Sequence, residues 1–96
     1  MKLSSQEITD ALVVMYGWEY QNDSIQKTYK TKGFPQTMAF VSAIGAVCQA
    51  HDHHPDFCNF KYSEINISFS THSAKGVTEK DIKIAKELDE IFTNGF

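Results

Sequence analysis

All four histidines of this 96-residue chain fall in two short segments. His51, His53 and His54 lie within His51-Asp52-His53-His54-Pro55, and His72 follows Thr71, 19 residues beyond His53. Imidazole is the side chain whose ordinary pKa, about 6.5, lets it give or take a proton near neutrality, so this clustering points to general acid–base work or metal ligation. A structural role competes for His53 and His54, because imidazole at a helix C-terminus hydrogen-bonds the last carbonyls and suits the helix dipole. Metal ligation fits the spacing poorly. Adjacent side chains diverge, no H-E-x-x-H pair shares a helical face, and Cys48 and Cys58 are ten residues apart, outside C-x-x-C spacing. No serine sits in a G-x-S-x-G elbow, and no glycine-rich loop is laid out to cradle phosphate.

These residues need a scaffold, and the hydrophobic periodicity predicts one. Ser4-x-x-Glu7 reads as a capping box for a helix carrying Ile8, Ala11, Leu12 and Met15, with Gly17 as its stop. Residues 18–21, the turn Asn22-Asp23-Ser24 and residues 25–30 read as a hairpin. Pro35 suits the first turn of a second helix with Met38, Val41, Ile44 and Val47 at core spacing, ending near His54 because Pro55 disfavours helix in the residue before it. Phe57 to Tyr62 supplies a third strand. From Ile65 to His72 apolar and polar residues alternate, which puts Ile65, Ile67 and Phe69 on one face and Asn66, Ser68, Ser70 and His72 on the other. Thr78, Glu79 and Asp81 open a third helix bearing Ile82, Ala85, Leu88 and Phe92. The Lys80, Lys83, Lys86, Glu87, Asp89 and Glu90 set reads as its solvated face. The order α-β-β-α-β-β-α predicts an α+β fold, a four-stranded antiparallel sheet with three helices on one face. It forms a single domain over residues 1–96, with residues 3–92 as its structured unit.

Composition narrows the function classes. Hydrophobic residues make up 42% and charged residues 22%, which suits a folded core, and a chain this short gains from self-association. The net charge is −3 and all nine basic residues are lysine, so the planar fork that reads guanine or clamps phosphate is missing and direct nucleic-acid binding is not expected. No apolar run approaches the roughly 18 residues of a membrane span. Met1-Lys2-Leu3-Ser4-Ser5 lacks the apolar stretch of a secretory signal, so a cytoplasmic setting with two free thiols is the expectation.

The set His53-His54-Pro55, Tyr62, Ile65, Thr71-His72, Gly76, Thr78, Asp81 and Ala85, with Gly17-Trp18, Phe34 and Phe40 upstream, resembles the signature of the pterin-4a-carbinolamine dehydratases, also called 4a-hydroxytetrahydrobiopterin dehydratases. H-H-P followed by T-H-x-x-x-G-x-T-x-x-D is far more specific than its parts, and the match spans nearly the whole chain. The resemblance implies the same element order and a homodimer or homotetramer. It also implies elimination of water from a 4a-hydroxytetrahydropterin to the quinonoid dihydropterin, a step in tetrahydrobiopterin recycling that uses no metal or organic cofactor. By that resemblance His53 and His72 do acid–base work, and His54 chiefly binds and orients the pterin. Pro55 fixes the loop, and Gln49, Ser70 and Thr71 complete the substrate contacts. Asp81 would accept a hydrogen bond from an imidazole, although a carboxylate there also serves as a helix cap.

Trp18, Phe57, Phe60 and Tyr62 are candidate faces for a flat ring, with Trp18 expected in the core. The chain departs from the family pattern in two places. Gln49 stands where members often carry Glu, and the interval from Pro55 to Tyr62 is one residue longer, which predicts a different path for a loop containing Phe57 and Cys58. His51 lies outside the motif and reads as surface. The competing class is a non-enzymatic module on the same fold. Some animal members also act as dimerisation cofactors of a homeodomain transcription factor, which would add a transcription-factor partner and a nuclear location.

Overall fold

A computed structural model describes residues 1–96. The helices α1 (Ser5–Leu12), α2 (Phe34–Ala50) and α3 (Glu79–Gly95) alternate with the strands β1 (Glu19–Gln21), β2 (Ser24–Lys30), β3 (Phe57–Lys61) and β4 (Glu64–Phe69) in the expected α-β-β-α-β-β-α order. The sheet is antiparallel throughout, ordered β1-β2-β4-β3.

Register follows from burial. Ile65, Ile67 and Phe69 of β4 pair with Tyr29, Lys27 and Ile25 of β2 on the helix-covered face, and all three β4 side chains are fully buried. Burying each is worth roughly 1.5–3 kcal/mol, and a one-residue slip would turn all three to the opposite face. That opposite face is polar along the pairs Gln26–Ser68, Thr28–Asn66 and Lys30–Glu64. The β1–β2 hairpin closes in two residues, not three. Asn22 (φ 52°) and Asp23 (φ 61°) both take the left-handed conformation that such a turn demands and that Asn and Asp tolerate.

Three expectations need correction. The first helix ends at Leu12, about a turn early, leaving Val13, Val14 and Tyr16 exposed before Gly17 (φ 87°) redirects the chain into β1. On α2 the buried face is Thr37, Phe40, Ile44, Val47 and Cys48, whereas Met38 is exposed and Val41 only half-buried. That helix is apolar nearly all round, so spacing alone leaves its inward face undecided. Phe57 and Cys58 lie in the expected third strand, β3, in regular register with Ser68 and Ile67, and not in a loop of altered path. Trp18 is in the core, as expected, while Phe57, Phe60 and Tyr62 are exposed.

Candidate active site

The segment that carries the histidine pair is shaped by the way α2 stops. His51 caps the helix and Asp52 adopts a left-handed conformation (φ 51°). The Asp52 N–H then bonds the Gln49 carbonyl at 3.1 Å, and the His53 N–H bonds the Cys48 carbonyl at 3.0 Å. This pair of bonds is a Schellman stop, and it satisfies carbonyls that the helix end would leave orphaned. It also turns His53 back onto the sheet. The His53 ring stacks on Phe69 with ring centroids 6.4 Å apart and planes 15° from parallel.

The second segment is a pinched loop. Thr71 and Gly76 bridge each other, a single 3-10 turn spans His72–Ala74, and Lys75 closes it in a left-handed conformation. His72 therefore does not extend the polar face of β4, which ends at Phe69. It stands exposed on this loop. Thr78 then caps α3 and, in the reciprocal bond of the capping box, donates its backbone N–H to the Asp81 carboxylate.

Asp81 joins the two segments. It is fully buried, and its two oxygens have different duties. Oδ2 accepts from the Thr78 N–H at 2.9 Å and from the Thr71 hydroxyl at 2.8 Å. Oδ1 lies 2.6 Å from Nε2 of His53. Capping and imidazole contact are thus served at once by one carboxylate. A carboxylate only accepts, so Nε2 carries a proton, and in the neutral imidazole Nδ1 is the nitrogen with the free lone pair. The Thr71 hydroxyl gives its proton to Asp81, so the Thr78 hydroxyl, 2.7 Å away, donates to Thr71. No buried side-chain nitrogen or oxygen lacks a partner, and Nδ1 of His53 has none within the protein, so this nitrogen faces solvent.

His53 lines a cleft of about 630 Å³. Of the residues singled out in the sequence, His53, His54, Pro55, Ser70, Thr71 and His72 line this cleft, with Asp81 beneath them. Gln49 is not among the lining residues and lies exposed on α2. Asp52, Asp56, Ser73 and Lys80 also line it; in the sequence Lys80 reads only as solvated helix surface, and Asp56 and Ser73 carry no assigned role. Asp56, next to His-His-Pro, was the most findable of them. A second cleft of about 510 Å³ adjoins and shares Asp56, Ser70, Thr71 and His72 as a common ridge.

His51 is not a free surface residue, since its Nε2 lies 2.8 Å from Glu87 and its side chain is mostly covered. Cys48 and Cys58 are unpaired thiols outside the cleft lining. Burial raises both, with Cys48 pushed up to about 11 by burial and the neighbouring Cys58, so neither is a ready nucleophile at neutral pH. No three His, Cys, Asp or Glu side chains are grouped to hold a metal ion, and no helix is long and apolar enough to cross a membrane.

A four-stranded antiparallel sheet backed by three helices, with a carboxylate-anchored histidine beside a polar cleft, defines an α+β protein of one sheet layer and one helix layer. The model of the pterin 4 alpha carbinolamine dehydratase family matches residues 1–91, and the chain belongs to that family. A Sulfolobus acidocaldarius protein assigned by name to the pterin-4-alpha-carbinolamine dehydratases is 42% identical over 95% of this chain and 99% of its own length. One from Aquifex aeolicus, named likewise, is 40% identical over 94% of this chain and 90% of its own. Among solved structures, a transcriptional coactivator/pterin dehydratase from Brucella melitensis superposes with a TM-score of 0.90 at 30% identity, covering 95% of this chain and 98% of that one. A pterin dehydratase-like RuBisCO assembly factor of the alpha-carboxysome shares the fold, with a TM-score of 0.68 at 22% identity over 80% of this chain and 90% of that one.

Proposed function

We propose that this protein dehydrates a 4a-hydroxytetrahydropterin, the tetrahydrobiopterin form among them, to the quinonoid dihydropterin by histidine acid–base catalysis. One observation carries the reading: His53 is held at Nε2 by buried Asp81, leaving Nδ1 free, and lines a cleft that His54 and His72 also line. In the reaction the bond from C4a to its hydroxyl oxygen breaks as a C4a=N5 double bond forms. Nδ1 of His53 takes the N5 proton, and the imidazolium of His72 protonates the departing oxygen, which leaves as water. Solvent then returns the proton from His53 to His72. His54 and Pro55 hold the ring, with Ser70 and Thr71 on the facing wall. Positioned proton transfer of this kind contributes roughly a hundred- to ten-thousandfold.

The test is the dehydration rate of freshly generated 4a-hydroxytetrahydrobiopterin with the wild type and a His53→Ala/His72→Ala double variant. Acceleration that disappears in a folded double variant is the expected result. A folded wild type that gives no acceleration overturns the reading.

A second reading, a partner-binding module such as a dimerisation cofactor of a transcription factor, draws on a separate observation. Val13, Val14 and Tyr16 are 77%, 80% and 93% exposed beside the end of α1, an apolar patch away from the cleft. The description of the similar Brucella protein joins coactivator and dehydratase. The unpaired edge of β3, with Phe60 exposed on the strand and Tyr62 exposed in the turn after it, favours self-association into a homodimer or homotetramer.

A further inference from the structure

We propose that Asp56 reads the pyrimidine edge of the pterin, accepting its N3–H and 2-amino protons and so selecting 2-amino-4-oxo rings over 2,4-dioxo ones; this rests on the dehydratase reading of the cleft. Asp56 stands on the ridge shared by the two clefts, immediately after His53-His54-Pro55. Its backbone N–H is tied to the Ser68 carbonyl at 2.7 Å. Its carboxylate accepts from the Ser70 hydroxyl at 2.7 Å through Oδ1 and from the Ser68 hydroxyl at 3.0 Å through Oδ2. Those two serines hold the carboxylate in one orientation while using one acceptor site on each oxygen. A carboxylate has about four such sites, so two remain free on an exposed group.

None of the protein's ion pairs includes Asp56, so its free sites are not taken by a lysine or histidine of the chain. The other carboxylates near the cleft serve this purpose less well. Asp81 is sealed beneath it with three donors already bound, and Asp52 is spent on the helix stop with no side-chain bond to fix it. A flat ring that presents two adjacent N–H donors matches the two free sites of a fixed carboxylate, the geometry in which charge-assisted hydrogen bonds are strongest. A 2-oxo ring presents a carbonyl oxygen in place of one donor and would set it against the carboxylate.

Two calorimetric titrations test this, using an unreactive 7,8-dihydropterin and its 2-oxo counterpart, a dihydrolumazine with the same 6-substituent. The wild type is expected to bind the dihydropterin about 10- to 100-fold more tightly, the range that loss of a charge-assisted hydrogen bond produces. In Asp56→Asn that preference is expected to shrink to about threefold or less. KM for the carbinolamine should rise about 10- to 100-fold, while kcat falls by less than about threefold. A wild type that binds both rings equally overturns the proposal whatever the variant does. So does a folded Asp56→Asn that keeps the full preference, or one that loses kcat with KM unchanged. The titrations need no turnover, so a protein that selects the amino ring but does not dehydrate the carbinolamine would overturn the activity and leave this assignment standing.

Discussion

Helix α3 carries two aspartates that each gather three donors, and only one of them faces the candidate active site. Asp81, in the first turn, takes the Thr78 N–H, the Thr71 hydroxyl and Nε2 of His53. Asp89, two turns on, takes the Trp18 indole at 2.9 Å, the Lys27 ammonium at 2.8 Å and the Tyr29 hydroxyl at 2.6 Å. The Asp89 donors end in themselves. Trp18 has no second polar atom, Lys27 lies against the Trp18 and Tyr29 rings, and burial with the Asp89 contact raises the Tyr29 hydroxyl far above its ordinary range. At Asp81 one donor is bifunctional, and its second nitrogen is left free on a ring that lines the cleft. The same carboxylate chemistry therefore staples the sheet to α3 at one place and orients an imidazole at the other.

The sharpest way to break this comparison is to neutralise each carboxylate in turn. Asp81→Asn no longer enforces a proton on Nε2, so the free Nδ1 lone pair is lost in part of the molecules. The dehydration rate constant should fall roughly a hundred- to ten-thousandfold. The buried cap suffers as well, by about 1–3 kcal/mol in urea unfolding. Asp89→Asn should give the reverse pattern. It is expected to lose roughly 2 kcal/mol of stability, discounted from the cost of a fully buried pair because Asp89 keeps 24% of its side chain exposed, with kcat per folded molecule unchanged. Equal losses of activity in the two variants would show that Asp81 acts only as a structural cap.

The two sites were unequally legible in the sequence, and the reason is sequence distance. Thr71, Gly76, Thr78 and Asp81 form one local unit of bridge, turn and cap, so a motif on adjacent residues recorded most of the geometry. Asp89 meets its partners across 60 to 71 residues, and an aspartate among lysines and glutamates on a helix looks like solvated surface until the tertiary fold is known. The sheet was legible because strict alternation from Ile65 to Phe69 leaves one inward face. The strand was extended too far, to His72, because the alternation of residue types runs on after the pairing with β2 and β3 has ended at Phe69 and Ser68. The inward face of α2 was not legible, since Phe40 and Met38 are equally apolar and only packing decides that Phe40 goes in.

A gentler separation uses alkaline pH. Tyr29 is raised above its ordinary value of 10.0 by burial, then by its hydrogen bond to Asp89 and that carboxylate's charge. Above pH 10 the unfolded chain ionises this phenol while the folded protein keeps it neutral. The unfolded state then binds fewer protons and stability falls as pH rises. Cys48 acts in the same direction, intact below its ordinary 9.0 and declining towards about 11. Tyr29→Phe should cost about 1 kcal/mol at pH 7 through the lost hydrogen bond. Above pH 10 it should flatten the decline in stability, leaving the thiol contribution. An identical slope in wild type and variant, measured by urea unfolding from pH 8 to 11, would remove Tyr29 from the account.

Gln49→Glu gives the smallest expected effect and bears on how far the histidine site extends. Gln49 projects from α2 outside the cleft lining, and its backbone carbonyl is already taken by the Asp52 N–H. A carboxylate there would sit in the last turn of the helix, where a negative charge opposes the dipole by roughly 0.3–1 kcal/mol. A slight loss of stability is therefore expected, with kcat and KM within about twofold of wild type, the scale on which exposed charges act through solvent. A larger change, especially a displaced pH–rate profile, would mean that charge at position 49 reaches the imidazoles. The site would then extend past the Schellman stop into the last turn of α2, and the contrast between a closed staple at Asp89 and an open relay at Asp81 would need a third carboxylate position to complete it.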